Sequence, residues 1–93
     1  VVATFYAAVH YVNAYLWEVR QIEPRSHDER RAMVALVTDL RAADASYAHL
    51  QQHGFSARYR LRYRPDRDVV QALLNTDLEA VRQAVLRALV KET

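Results

Sequence analysis

"SARYRLRYRPDR", residues 56–67, sets five arginines within positions 58–67, with Tyr59, Leu61 and Tyr63 between them. Read as alternation, it is a strand with one basic face; read at the helical period, it is the end of a helix. The choice decides the fold class, because nothing else in the 93 residues reads as a strand. A lone strand has no partner for its backbone N–H and C=O groups. The stretch therefore predicts helix up to Arg64, before Pro65. Tyr59 and Tyr63 then lie one turn apart, with Arg58 and Arg62 on one ridge and Arg60, Arg64 and Arg67 on another.

The rest of the chain agrees with an all-helical reading. One Gly and two Pro leave few tight turns and favour a few long helices over many short strands. Ninety-three residues make one domain (1–93) whose modest core gains from dimerisation. The absence of cysteine excludes disulfides and thiolate metal sites and fits a reducing, cytoplasmic setting. Charge breaks every apolar run within a few residues, so no membrane span is expected. Net charge is only +2, yet twelve of the thirteen basic side chains are Arg, whose planar fork suits phosphate.

From the arginine stretch outward, four longer helices and a short one can be placed. Over residues 2–21, Val2, Phe5, Tyr6, Val9, Val12, Leu16 and Val19 follow a helical period. The chain begins inside this pattern without Met, so residues before Val1 are expected to belong to the same helix. Ser26 and Glu29 form a capping box for a second helix to about Ala43, with Met33, Leu36, Val37 and Leu40 inward. Asp44 caps a third, whose buried row is Tyr47, Leu50, Gly54, Ala57 and Leu61; Gly54 fits that row as a point of close helix packing. Asp66 starts a short helix to Leu74, and a second box, Thr76 with Glu79, opens the last, to about Lys91 with Leu78, Val81, Val85 and Leu89 inward. The expected architecture is an antiparallel four-helix bundle with one additional short helix.

Several side chains carry possible chemistry. Tyr6, His10, Asn13 and Trp17 make a polar aromatic stripe on the first helix. His10 there reads either as a general base or as a histidine bonded inside the bundle. His27 opens the second helix, where the dipole disfavours imidazolium and leaves a neutral ring ready to accept a proton. Arg30 and Arg31 follow one turn on. Metal-independent RNA cleavage needs a base, an acid and cations for the phosphate, roles that His10, His27, Arg30 and Arg58 fit if the helices bring them together. His49 and His53 stand i,i+4 with no carboxylate in their own helix, so they read as surface rather than as a zinc site, and no metal or cofactor is expected. Arg58, Tyr59, Arg60, Arg62, Tyr63 and Arg64, with Arg31, read as a phosphate clamp with aromatic groups for base stacking, or else as a solvated helix end. No helix-turn-helix with a basic recognition helix is present.

"FYAAVHYVNAYL" at 5–16, "SHDERR" at 26–31 and "SARYR" at 56–60 together resemble the HEPN superfamily of small helical bundles. The resemblance spans Phe5 to about Arg60. It implies a four- to five-helix bundle, commonly a homodimer, associated with RNA cleavage, nucleotide binding, and toxin–antitoxin or antiviral systems. A cognate antitoxin or larger complex is the partner it implies, beside RNA or a nucleotide. The family's catalytic pattern is an Arg, a polar residue and a His four to six residues beyond. Arg20, Gln21 and His27 meet that spacing across a loop containing Pro24, and no "RNxxxH" occurs. The competing expectation is a catalytically inactive bundle that serves as a dimerisation or assembly module.

Overall fold

The computed structural model describes residues 1–60 and 62–92, of Glu92 the backbone only. Among them every regular element is helical and no strand occurs. The order is α1 (Val2–Arg20), α2 (His27–Leu36), a 3₁₀ segment (Thr38–Ala43), α3 (Asp44–Tyr59), α4 (Arg67–Ala72), a π-helical segment (Leu73–Leu78) and α5 (Glu79–Glu92).

α1 is the central element, packed against α3 on one side and α5 on the other. Of the expected row Phe5, Val9, Val12 and Leu16 are buried, joined by Thr4, Ala8 and Tyr15, while Val2, Tyr6 and Val19 are half-buried. The helix ends in a left-handed turn at Gln21, φ 52°. There the Gln21 N–H donates to the Trp17 carbonyl at 3.1 Å, the bond of an αL cap, and the Ile22 N–H to that of Leu16 at 3.0 Å.

At Gly54, α3 comes close enough to α1 that an added Cβ would stand 2.9 Å from both Cβ and Cδ2 of Phe5. Phe5 is itself in the core, so it cannot swing aside freely. Helix propensity favours Ala over Gly by about 1 kcal/mol, whereas overpacking a core costs about 1–3 kcal/mol. The steric effect wins, and the expected role of Gly54 in helix packing is met. Of the other residues of that row, Tyr47 and Leu50 are buried and Ala57 only half-buried; Leu61 lies outside the described residues.

Four expected boundaries are corrected. The second helix does not reach Ala43: Val37, extended at ψ 121°, interrupts it. The 3₁₀ segment that follows turns Leu40 and Ala43 inward and lies on α5, while Leu36, expected inside, is 71% exposed. Asp44 does not cap α3; its carboxylate takes the Arg31 guanidinium instead. The third helix stops at Tyr59 rather than Arg64, with Arg60 extended (φ −111°, ψ 113°). Beyond Gly54 the exposed Phe55 and Tyr59 bury little apolar surface. Continuing the helix would also stack Arg58 on Arg62 and Arg60 on Arg64, like charges one turn apart. Finally, Thr76 caps nothing: backbone angles at Ala72, Leu73 and Glu79 are all right-handed helical, so α4, the π segment and α5 form one continuous rod.

The π turn has a packing reason. In an uninterrupted α-helix Leu73 and Val81 would point ~80° apart, and taking up one residue in the wider turn brings that to ~20°. Both are 1% exposed, so both reach the same core. The caps foreseen at Ser26 and Asp66 are present, accepting from the Glu29 N–H at 3.0 Å and the Val69 N–H at 2.9 Å.

A second tie joins the far ends of α1, the 3₁₀ segment and α5. The buried Tyr15 hydroxyl donates to the Asp39 carboxylate at 3.0 Å, and Lys91 Nζ lies 3.4 Å from the same side chain. The Tyr15 bond, helped by Lys91 and Arg20, holds the Asp39 carboxyl below its usual range. Burial pushes the Tyr15 phenol up. A depressed carboxyl contributes stability above its unfolded-state pKa and loses it as pH falls through the folded value.

Two outcomes follow from these contacts. Gly54→Ala lowers the free energy of unfolding by about 1–2 kcal/mol in a urea titration, the overpacking cost less part of the propensity gain; a stabilised variant would refute the close approach. Tyr15→Phe raises the titration midpoint of Asp39 in carboxyl-carbon NMR and moves acid unfolding to higher pH. An unchanged midpoint would show that the hydroxyl is not what depresses it.

Candidate functional site

The close approach of α1 and α3 opens into a groove of about 380 Å³ toward the C-terminal end of α3, within the range of small-molecule sites. Phe5 and Tyr6 of α1 form one wall, Phe55, Arg58 and Tyr59 of α3 another, and Ser26, His27 and Asp28 at the start of α2 close one end. Phe55 and Tyr59 are 56% and 64% exposed, large aromatic groups that burial does not explain. They lie four apart on one helix face, and their ring centroids are 4.8 Å apart. The Arg58 guanidinium sits 5.6 Å from the Tyr59 centroid, within cation–π range, and donates to the Tyr6 hydroxyl at 2.8 Å.

Behind the groove, Arg30 is only 8% exposed. Its Nε donates to Asn13 Oδ1 at 2.8 Å and its Nη1 to His27 Nδ1 at 3.0 Å. Both partners are neutral, and among the described residues no carboxylate pairs with Arg30. A buried cation without an opposite charge creates a local preference for an anion. The bond to His27 has a further consequence. A guanidinium only donates, so Nδ1 must be the acceptor and the ring proton resides on Nε2. His27 thus presents an N–H to its surroundings, whereas the sequence suggested a ring ready to accept a proton. Phe5 and Tyr6 hold that ring from the side, with centroids at 5.3 and 6.0 Å. Tyr47 is buried nearby; burial pushes its phenol up, against the pull of the Arg30 and Arg31 guanidiniums.

Of the residues singled out from sequence, the groove gathers His27, Arg58 and Tyr59, with Arg30 behind them. Arg31 and Arg60 line a shallow neighbouring depression that shares Phe55, although Arg31 is already engaged by Asp44. Arg62 and Arg64 are exposed in the segment after α3, and Arg64 Nη1 donates to the Tyr63 carbonyl at 2.9 Å. His10 is exposed on α1, outside the groove lining. Arg20 is further away: fifteen residues beyond Phe5, ~22 Å along the helix, it stands beside Tyr15 and Asp39. Arg20 and His27 are therefore not brought together, and neither are His10 and His27 within the groove.

Tyr63 turns the other way, and there the structure holds something the sequence reading missed. Its hydroxyl lies 2.7 Å from His53 Nδ1, His53 Nε2 lies 3.1 Å from His49 Nε2, and His49 Nδ1 lies 2.6 Å from Asp77 Oδ2. The i,i+4 spacing of the histidines was legible, but the carboxylate arrives from the π segment, 28 residues later, and no local pattern marks it. The Asp77 carboxylate only accepts, which orders the chain as Tyr63 O–H to His53, His53 N–H to His49, and His49 N–H to Asp77. Burial and then the neighbouring His49 hold His53 below the usual histidine range; burial pushes the Tyr63 phenol up.

A larger depression of about 520 Å³ lies along α5, lined by alanines and by charges of both signs, without an aromatic group. Among the described residues no helix is long and apolar enough to cross a membrane. Set against family models, curated proteins and solved structures, the chain has no match.

The tautomer of His27 is directly measurable. Long-range nitrogen–proton NMR at alkaline pH is expected to find its proton on Nε2, and Arg30→Met to return the ring to a mixture of forms. A proton on Nδ1 in the native protein would rule out the Arg30 bond.

Proposed function

We propose that this chain is a HEPN-like domain that binds an unpaired stretch of RNA, or a nucleotide, in the groove between α1 and α3. The observation that carries the reading is the exposed pair Phe55 and Tyr59, in ring contact beside Arg58 and backed by the buried, carboxylate-free Arg30. Aromatic faces accept any base by stacking, and a guanidinium beside them meets the phosphate. The antiparallel four-helix arrangement and the homodimer of that superfamily belong to the same proposal. Cleavage is its further step: Asp28, the carboxylate at the groove end, takes the 2′-OH proton, the His27 Nε2–H donates a hydrogen bond to the charge that develops on the phosphate, and the leaving oxygen takes its proton from water.

Binding and cleavage are followed together with end-labelled single-stranded RNA at low salt in EDTA. Binding should weaken steeply with salt, as contacts to phosphate require. Loss of one stacking platform is worth ~1–3 kcal/mol, so Tyr59→Ala weakens binding by about 5- to 150-fold. Arg58→Ala is expected to lower the salt slope by about one. Cleavage that persists in EDTA and disappears in His27→Ala would assign the chemistry to the groove. RNA that neither binds nor is cut would leave the assembly module, which the exposed Leu86 and Val90, one turn apart on α5, favour.

A further inference from the structure

The chain Asp77–His49–His53–Tyr63 sets two imidazoles side by side between a carboxylate and a phenol. The two imidazoles stand one turn apart on α3 with their Nε2 atoms facing each other at 3.1 Å. Divalent zinc binds imidazole nitrogen at ~2.0–2.1 Å, so a single ion touching both nitrogens would subtend an angle of ~98°. That lies between the right angle of octahedral or square coordination and the tetrahedral angle. The rings meet edge to face, 89° between planes.

The outer nitrogen of His49 is already fixed as a metal site requires. Histidines that bind metal almost always give their other N–H to a carboxylate, carbonyl or water, which sets the tautomer and aims the ring. His49 Nδ1 is held by Asp77, whose side chain is largely buried, and His53 Nδ1 lies against the Tyr63 hydroxyl. Solvent reaches the pair, since the His49 side chain is 45% exposed. Two of the three elements that meet here depart from a plain α-helix at this point. The π turn carries Asp77, the segment after Tyr59 leaves α3 and returns Tyr63, and α3 presents the two rings.

We infer that His49 and His53 form a two-histidine binding site for a borderline divalent transition-metal ion of the zinc, nickel or copper class, oriented by Asp77 and Tyr63. Among the described residues no three His, Cys, Asp or Glu side chains surround a common point. The chain therefore gives two ligands, and water or an oxygen of a bound molecule takes the remaining positions. The proton count balances without release. Before binding, His53 carries its proton on Nε2 and donates to His49. With the ion on both Nε2 lone pairs, that proton moves to His53 Nδ1 and is donated to the Tyr63 oxygen, whose own hydrogen turns outward.

Zinc titrated by calorimetry into the metal-free chain tests this, with copper in parallel and electron paramagnetic resonance as the readout of the ligand atoms. One ion per chain and a copper spectrum with two equivalent nitrogens are expected. His49→Ala and His53→Ala should each abolish the site while circular dichroism stays helical. Asp77→Asn, which keeps the shape and loses the charge on His49, should weaken zinc by about 10- to 100-fold, the usual loss for such an orienting partner. No saturable binding, a copper spectrum with one nitrogen or none, or equal binding by the His49→Ala/His53→Ala double variant would each overturn the assignment. In that case the four side chains are a hydrogen-bonded clasp and nothing more.

Discussion

The approach of α1 to α3 at Phe5 and Gly54 is the constraint on which the remaining structure depends. A backbone carrying any side chain at position 54 could not come so near the Phe5 ring. With α3 that close, Tyr47 and Leu50 reach the core that α1 begins. The same contact then limits how far α3 can remain packed. Beyond Gly54 its aromatic residues stand beside α1 rather than beneath it, and the gap that opens between the two helices is the groove. One glycine thus sets both a close helix approach and the concavity next to it.

Charge is distributed around this frame in two contrasting ways. At the groove a cation is buried against an amide and an imidazole that cannot neutralise it, so its field extends into the opening. On the opposite side of α3, the one buried carboxylate of the π segment faces a histidine whose neighbour is another histidine. Electrostatics therefore give the two faces of one helix opposite preferences. The groove suits an anion, whereas the histidine face suits a cation. Asp39, by comparison, is matched by Tyr15 and Lys91 and has no such unmet demand.

The sequence carried the helical class and most of the buried stripes, because periodicity reports directly which face of a helix avoids water. Ser26 and Asp66 were legible for the same reason: a cap is a local hydrogen bond. Thr76 shows the limit of that logic. Thr and Glu at the right spacing resemble a helix start, yet continuity with α4 lets Leu73 and Val81 share one core, and that gain is tertiary. The arginine stretch misled similarly, since its length in helix was set by how far α3 stays in contact with α1. Of the candidate site, His27, Arg58 and Tyr59 were found through residue type and position, and Arg30 through its place one turn after His27. Phe55 and Asp77 were not. A solitary aromatic residue on a helix carries no signal until its exposure is known, and a carboxylate 28 residues from its histidine is visible only once the chain has folded.

The π turn has a meaning beyond packing. It amounts to one residue more than an α-helix of the same path would hold, an insertion kept inside a helix rather than expelled into a loop. Winding the same residues as an ordinary α-helix would give a better local backbone, but it would rotate everything on one side of 73–78 by about a hundred degrees. Either the Val81 face would leave the core or Asp77 would leave His49. At its present length the rod therefore cannot be regularised without choosing between its core and its histidine face.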